Sequence, residues 1–377
     1  MVFWNRGRKD RAPFYLVSSA GVPNYGDEFI TRAWLDWLAA HHPDVPVWVD
    51  CLEPGRASHL FQDAHPLLKT TNTLWHLAFA GAGPSLEDGA DYVQYLVREL
   101  GSPRFDAGLE HLRSVRSVHL LGGGYLNALW PHQLLLLPAL TQLQASFGVP
   151  VHATGQGLIP ADDFGSHVRG WVGSFSSFEV RDRASAELVG GDVGVDDAFL
   201  AFANRRPVFS SSASPDTMLL IQGDFDGGSR ESIVDGAVDF ISRHSAKPVV
   251  GVAESLPPDD GWLAEALGER GVEVEVFPFL RLWKEGFPGR AGQTWLTSRF
   301  HFHLLGASSG AAGAAVSFRR DYYDVKHHSL LDLGTGWEVA SASFEGISAG
   351  LSADFSAPRH LDGLAKRKES LARKIYG

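Results

Sequence analysis

The stretch Val115–Gly157, VRSVHLLGGGYLNALWPHQLLLLPALTQLQASFGVPVHATGQG, decides the fold class. An apolar run of strand length ends in Gly122, Gly123 and Gly124. A helical pattern opened by Pro131 follows, and a second strand, VPVHATGQG, ends in Gly155 and Gly157. Strand, glycines, helix, strand is the unit from which a parallel sheet covered by helices is built.

The same alternation extends in both directions. Upstream, FYLVSSA and VPVWVD read as strands around the helical DEFITRAWLDWLAAHH; downstream, SSFEVRDRASAELVGG gives a strand, a turn and a short helix closed by Gly190. ANRRPVFSSSASPD lacks periodicity and suits a linker. After it, TMLLIQGDF, KPVVGVAES and VEVEVFPF are strands separated by ESIVDGAVDFISRH and DDGWLAEALGER. The expected division is a first Rossmann-like domain over 1–203, a second over 204–357, and a charged helix over 358–377 packing back on the body.

The 377 residues suffice for two cores. A net charge of -11 without long Lys or Arg runs argues against nucleic-acid binding. A lone cysteine, Cys51, excludes an internal disulfide and a Cys-based zinc cluster. The start, MVFWNRGRKDRAPF, has no continuous apolar core of a secretory signal, and the longest apolar runs are too short to span a bilayer. The expectation is a cytoplasmic protein with at most peripheral membrane contact; the oligomeric state is not readable.

Ligands of open α/β sheets bind beyond the carboxyl ends of the strands, so the loops there carry the candidate chemistry. In SSAGVPNYGDEF, Asp27 and Glu28 either cap the next helix or present carboxylates to sugar hydroxyls or to a catalytic base. The three glycines of LLGGGYLN require close backbone approach, without forming a dinucleotide fingerprint. Gln156 lies between the glycines of ATGQGLIP. In EVRDRAS, Arg181 and Arg183 flank Asp182, as a structural ion pair or with one arginine on an anion.

The last such loop, TSRFHFHLLGASSG, reads as a helix with Thr297 or Ser298 as N-cap, Arg299 and His301 in its first turn, and Gly310 past its end. A cation in the first turn opposes the helix dipole unless an anion neutralises it, and the orphan amides point at the same place. His301 and His303 face different ways on a helix and cannot chelate one metal. Arg299 therefore either pairs with a carboxylate or helps form an anion site, to which Lys326, at the start of the helix after a further strand, AAVSF, adds a second cation.

NYGDEF, LLGGGYL, TGQGLIP, VRDRAS, GVDDAFL and SRFHFH followed by DYYDVKH, in this order, resemble the polysaccharide pyruvyl transferase family over most of the chain. The family's Arg-x-His element appears here as Arg299-Phe300-His301 and selects His301 over His303. Val22-Pro23 stands where the family more often has glycines. The resemblance implies two Rossmann-like domains in the GT-B-like arrangement, with the active site in the interdomain cleft. It also implies transfer of a pyruvyl group from phosphoenolpyruvate, as co-substrate, to paired hydroxyls of a cell-surface polysaccharide or its lipid-linked precursor as a cyclic ketal. No metal or cofactor is implied.

On that resemblance His301, Asp27 and Glu28 are the catalytic candidates. Arg299, Lys326, Arg181, Ser298, Asn24, Gly26, Gly123, Gly124 and Gln156 are the candidates for substrate binding. Two other functions fit the alternation and glycine loops: a GT-B nucleotide-sugar glycosyltransferase, and a non-catalytic saccharide-binding relative.

Overall fold

A computed structural model of the chain describes residues 12–224, 229–319, 323–344, 346–353 and 358–377. The start of the chain through Arg11, and Asp321 and Tyr322 of the DYYDVKH element, lie outside the described residues. The chain divides into two compact units. One comprises Met1–Val22, Asp27–Leu200 and Ser370–Gly377; the other comprises Pro23–Gly26 and Ala201–Glu369.

The first unit is built on a six-stranded sheet in the order β3-β2-β1-β4-β5-β6. Its strands are β1 (Phe14–Val17), β2 (Val47–Asp50), β3 (Leu68–Thr71), β4 (Ser117–Leu120), β5 (Val151–Gln156) and β6 (Ser177–Val180). All pairings are parallel. The central strands β1 and β4 are buried along their whole length, as a parallel sheet with helices on both faces requires. The helix Leu136–Phe147 stops where Gly148 takes the left-handed conformation at φ 64. A helix at Arg183–Val189 is capped by Asp182, which accepts the Ser185 N–H at 2.7 Å, and closed by Gly190 at φ 75.

The second unit repeats the plan with the order β12-β11-β10-β7-β8-β9, again parallel throughout. Its strands are β7 (Thr217–Leu220), β8 (Val249–Ala253), β9 (Glu273–Phe277), β10 (Thr294–Thr297), β11 (Ala312–Ser317) and β12 (Glu338–Ser341). Reading each order from its first-formed strand, both sheets reverse direction once, between β1 and β4 and between β7 and β10. At each reversal the connecting helices leave on opposite faces and open a crevice at the strand carboxyl ends. The segments SSAGV and LLGGG follow β1 and β4 at the first reversal, and IQGD and SRFHFH follow β7 and β10 at the second.

Three strands escape the sequence pattern. β3 and β12 are four-residue edge strands with few apolar positions, and β10 is a four-residue strand whose last residue, Thr297, reads as a helix cap. The helix after β10 also differs from expectation. It runs from Phe300 to Ser308, and Arg299 is its N-cap, in extended conformation at φ -90 and ψ 127 and without a capping hydrogen bond. The Ser298 hydroxyl instead accepts the Gln222 N–H at 2.9 Å, tying β10 to the loop after β7. Likewise Asp27 is not the N-cap of its helix, which begins at Tyr25 and places Asp27 and Glu28 in the first turn.

A buried carboxylate organises the first unit. Asp197, fully buried after β6, accepts hydrogen bonds from Trp34 Nε1 at 2.8 Å, the Gly122 N–H at 2.8 Å and the Thr154 hydroxyl at 2.7 Å. Replacing Asp197 with Ala strands three buried donors. We expect a loss of about 3–5 kcal/mol, read as a lowered urea midpoint by tryptophan fluorescence.

Candidate active site

The second unit gathers Arg299, His301, Lys326, Ser298, Asn24 and Gly26. Arg299 follows β10, and its guanidinium is engaged along one edge: Nε and Nη2 donate to Asp260 Oδ2 and Oδ1 at 3.2 and 2.6 Å. Nη2 also reaches Asp224 Oδ1 at 2.8 Å. Burial works against the charge, but the two carboxylates outweigh it and raise the guanidinium pKa above its ordinary value. Arg299 is therefore ion-paired, and its Nη1 lies outside these three bonds.

Asp260 is fully buried and also accepts the N–H groups of Gly223 (3.3 Å), Ser255 (3.1 Å) and Leu256 (2.9 Å). One carboxylate thus binds the loops after β7, β8 and β10 together. Beside it, Gln222 Nε2 donates to the Tyr323 hydroxyl at 2.7 Å, and Lys326 Nζ lies 5.6 Å from the Tyr323 ring centroid.

Asn24, Tyr25 and Gly26 join this unit although the rest of their helix belongs to the other. Tyr25 holds them there: its N–H donates to the Ser255 carbonyl at 2.9 Å, and its ring packs 5.5 Å from that of Phe302. The Ser255 hydroxyl reaches Asn24 Oδ1 at 3.4 Å. Gly26 lies so close to the His301 ring that a Cβ there would stand 1.9 Å from Nδ1. Only glycine leaves room for that imidazole.

His303, two residues on, is fully buried. Its Nδ1 meets His327 Nδ1 at 3.2 Å, its Nε2 meets the Thr335 hydroxyl at 3.0 Å, and its ring stacks on Trp337. Burial, together with the neighbouring His327, pushes the His303 pKa well down; burial also takes His327 down to about 3. Both rings are neutral core groups.

The remaining candidates lie in the first unit, and most have structural partners. Arg181 forms a buried ion pair with Asp196 at 2.8 Å, not with its neighbour Asp182. Gln156 is fully buried, with Nε2 donating to the carbonyls of Leu120, Leu121 and Thr154. Gly123 accepts the Gly157 N–H at 2.8 Å, and Gly124 the Asn127 amide at 2.8 Å. Asp27 is partly exposed, and a Cβ on Gly123 would lie 3.7 Å from its Oδ1.

Glu28 differs from Asp27 in every respect that matters. It is fully buried, and its Oε1 accepts the Gly21 N–H at 2.7 Å. That glycine, at φ 90, abuts the Glu53 backbone and admits no side chain. Burial pushes the Glu28 carboxyl up to about 8, opposed by the Gly21 bond and assisted by the charge of Asp27.

The residues that sequence reasoning missed are the acids that hold the loops: Asp260, Asp224, Asp196 and Asp197. GVDDAFL contains the last two, but adjacent acids at Asp259 and Asp260 read as ordinary helix-start residues.

A family model for polysaccharide pyruvyl transferase matches residues 24–214, just over half of the chain. The chain belongs to the polysaccharide pyruvyl transferase family. No curated protein matches the sequence. Among solved structures, a glycosyltransferase from Rickettsia africae ESF-5 is similar at TM-score 0.52 and 10% identity, over 97% of this chain and 98% of that one. A UDP-GlcNAc 2-epimerase from Methanocaldococcus jannaschii, in complex with UDP-GlcNAc and UDP, is similar at TM-score 0.51 and 12% identity, over 97% and 99%. At such identities the likeness shows the fold, which is α/β with two Rossmann-like domains of the GT-B kind. Among the described residues no helix is long and apolar enough to cross a membrane.

The raised Glu28 pKa has a thermodynamic consequence. The folded carboxyl keeps its proton to about 8, whereas the unfolded one releases it near 4.5, so this contribution is intact below 4.5 and is lost as pH rises to 8. Glu28→Gln should therefore become progressively more stable than the unaltered protein between those values, with no further divergence above pH 8. Melting temperatures of both proteins across that range check this; a parallel pair of curves counts against it.

Proposed function

We propose that this transferase moves the pyruvyl group of phosphoenolpyruvate to two hydroxyls of a saccharide, forming a cyclic ketal and releasing phosphate. The observation that carries the proposal is the packing of His301 on Gly26. It joins the Arg-x-His element to the NYG segment, with which the family match begins.

Phosphoenolpyruvate presents a carboxylate and a phosphate, so its site needs fixed donors and cations at both ends. Arg299, oriented by Asp260, offers Nη1 to the carboxylate, and displacement of exposed Asp224 frees Nη2 for a second bond. Lys326 and the amides at the start of the Phe300–Ser308 helix suit the phosphate.

Reaction begins with a proton delivered to the methylene carbon, making a methyl group and an oxocarbenium-like centre at the adjacent carbon. One sugar hydroxyl adds there and loses its proton. The C–O bond to phosphate then breaks, phosphate departs, and the second hydroxyl closes the ring as its proton is removed. His301 is proposed for the proton delivery, imidazole being the side chain that most often carries general acid–base transfer. Asp27, next in the chain to Gly26 and partly exposed, is the carboxylate suited to a hydroxyl proton; Glu28, buried on Gly21, supports the loop.

His301→Ala should cut kcat by about 10²- to 10⁴-fold with an unchanged circular dichroism spectrum. Arg299→Ala should raise KM for phosphoenolpyruvate by about ten- to hundredfold and also lower the melting temperature, because it leaves buried Asp260 with only its three amide partners. Phosphate release and acceptor mass gain with candidate glycans measure both. Binding of a nucleotide sugar, with no phosphate released from phosphoenolpyruvate on any acceptor, overturns the proposal.

A further inference from the structure

A cavity of about 460 Å³ opens in the first unit, and it involves none of the residues assigned above. Its walls come from three successive strand ends: Val22 after β1, Glu53 and Arg56 after β2, and Trp75, His76 and Phe79 after β3. Strand carboxyl ends are where this architecture binds ligands, and the volume is that of a small-molecule site.

The back of the cavity is firmly held. Trp75 is buried, and its Nε1 donates to the Ser18 carbonyl at 2.8 Å. Glu28 holds Gly21, and Gly21 abuts the Glu53 backbone, so the loop from β1 is locked against the start of the next wall.

The front differs. Phe79 is 44% exposed, with its ring 4.7 Å from that of His132 and 6.3 Å from that of Trp75. Of these three rings Phe79 is the one most open to solvent, and an exposed aromatic ring can serve as a stacking surface. Around it, Glu53, Arg56 and His76 are all exposed and together supply donors and acceptors.

A flat apolar face bordered by mixed hydrogen-bonding groups matches a pyranose, whose C–H face stacks on an aromatic ring while its hydroxyls bond at the edge. It does not match phosphoenolpyruvate, because Glu53 would repel a trianion and Arg56 is the one cation among the residues lining the cavity. We propose that this cavity binds a neutral sugar ring of the acceptor glycan, with Phe79 as the stacking platform and Glu53 as a hydroxyl acceptor. The assignment rests on the transferase reading, which supplies the saccharide.

The test uses the full chain and three probes: the methyl pyranosides of β-glucose, β-galactose and α-mannose. Saturation-transfer NMR titrations compare the unaltered protein with Phe79→Ala and Glu53→Gln, and thermal shift with phosphoenolpyruvate is run on each. At least one glycoside should bind. Phe79→Ala should weaken it about tenfold and Glu53→Gln should weaken it too, with the phosphoenolpyruvate shift unchanged. The subsite is overturned if no glycoside binds, if Phe79→Ala binds as the unaltered protein does, or if UDP displaces the glycoside competitively. Phe79-dependent sugar binding without any response to phosphoenolpyruvate sinks the transferase reading and leaves the subsite. Pyruvylated product formed by Phe79→Ala at unchanged acceptor KM does the reverse.

Discussion

The bond between Asp260 and Arg299 is the constraint on which the candidate site depends. A carboxylate with no exposure to water is tolerable only when its charge is met by donors, and Asp260 has five contacts of that kind, from three backbone amides and two guanidinium nitrogens. Those contacts come from loops that follow three different strands. The charge that must be satisfied is thus also the clamp that brings Gly223, Ser255 and Arg299 to one end of the sheet. The N-terminal NYG segment then adds itself through Tyr25 and Ser255, and Gly26 makes room for His301.

The first unit solves the same problem with a different acid. Asp197 collects a tryptophan N–H, a backbone amide of the triple glycine and a threonine hydroxyl, while Asp196 takes Arg181. Glu28 plays a related part for the loop after β1, although its single bond to Gly21 does not compensate burial and its proton is retained instead. In each case a polar side chain under a loop substitutes for the regular hydrogen bonding that ends with the strand.

This explains why the glycine loops were legible and their supports were not. Runs such as LLGGG announce close approach, because a Cβ at Gly122 would meet Asp197 and the Gly155 carbonyl at 2.9 Å. Nothing near Asp260 marks it as the partner of a residue 39 positions away. The arginines show the complementary gap: Arg181 and Arg299 each read either as an ion pair or as an anion contact, and both are ion-paired, with an Asp that the local sequence did not single out. Thr297 and Ser298 looked like caps since they are the residue types that cap helices, yet the chain is still extended at Arg299.

By itself the sequence determined the α/β alternation, the two-domain length, the glycine loops and the family to which the chain belongs. These are written in local period and in residue types whose backbone demands are local. Only the tertiary structure decided the strand order, the strands β3, β10 and β12, the separation of Asp27 from Glu28 by burial, and the contacts that hold His303 in the core and set His301 against Gly26. Such properties follow from which distant residues meet, and a buried charge or a crowded glycine is defined by its neighbours in space rather than along the chain.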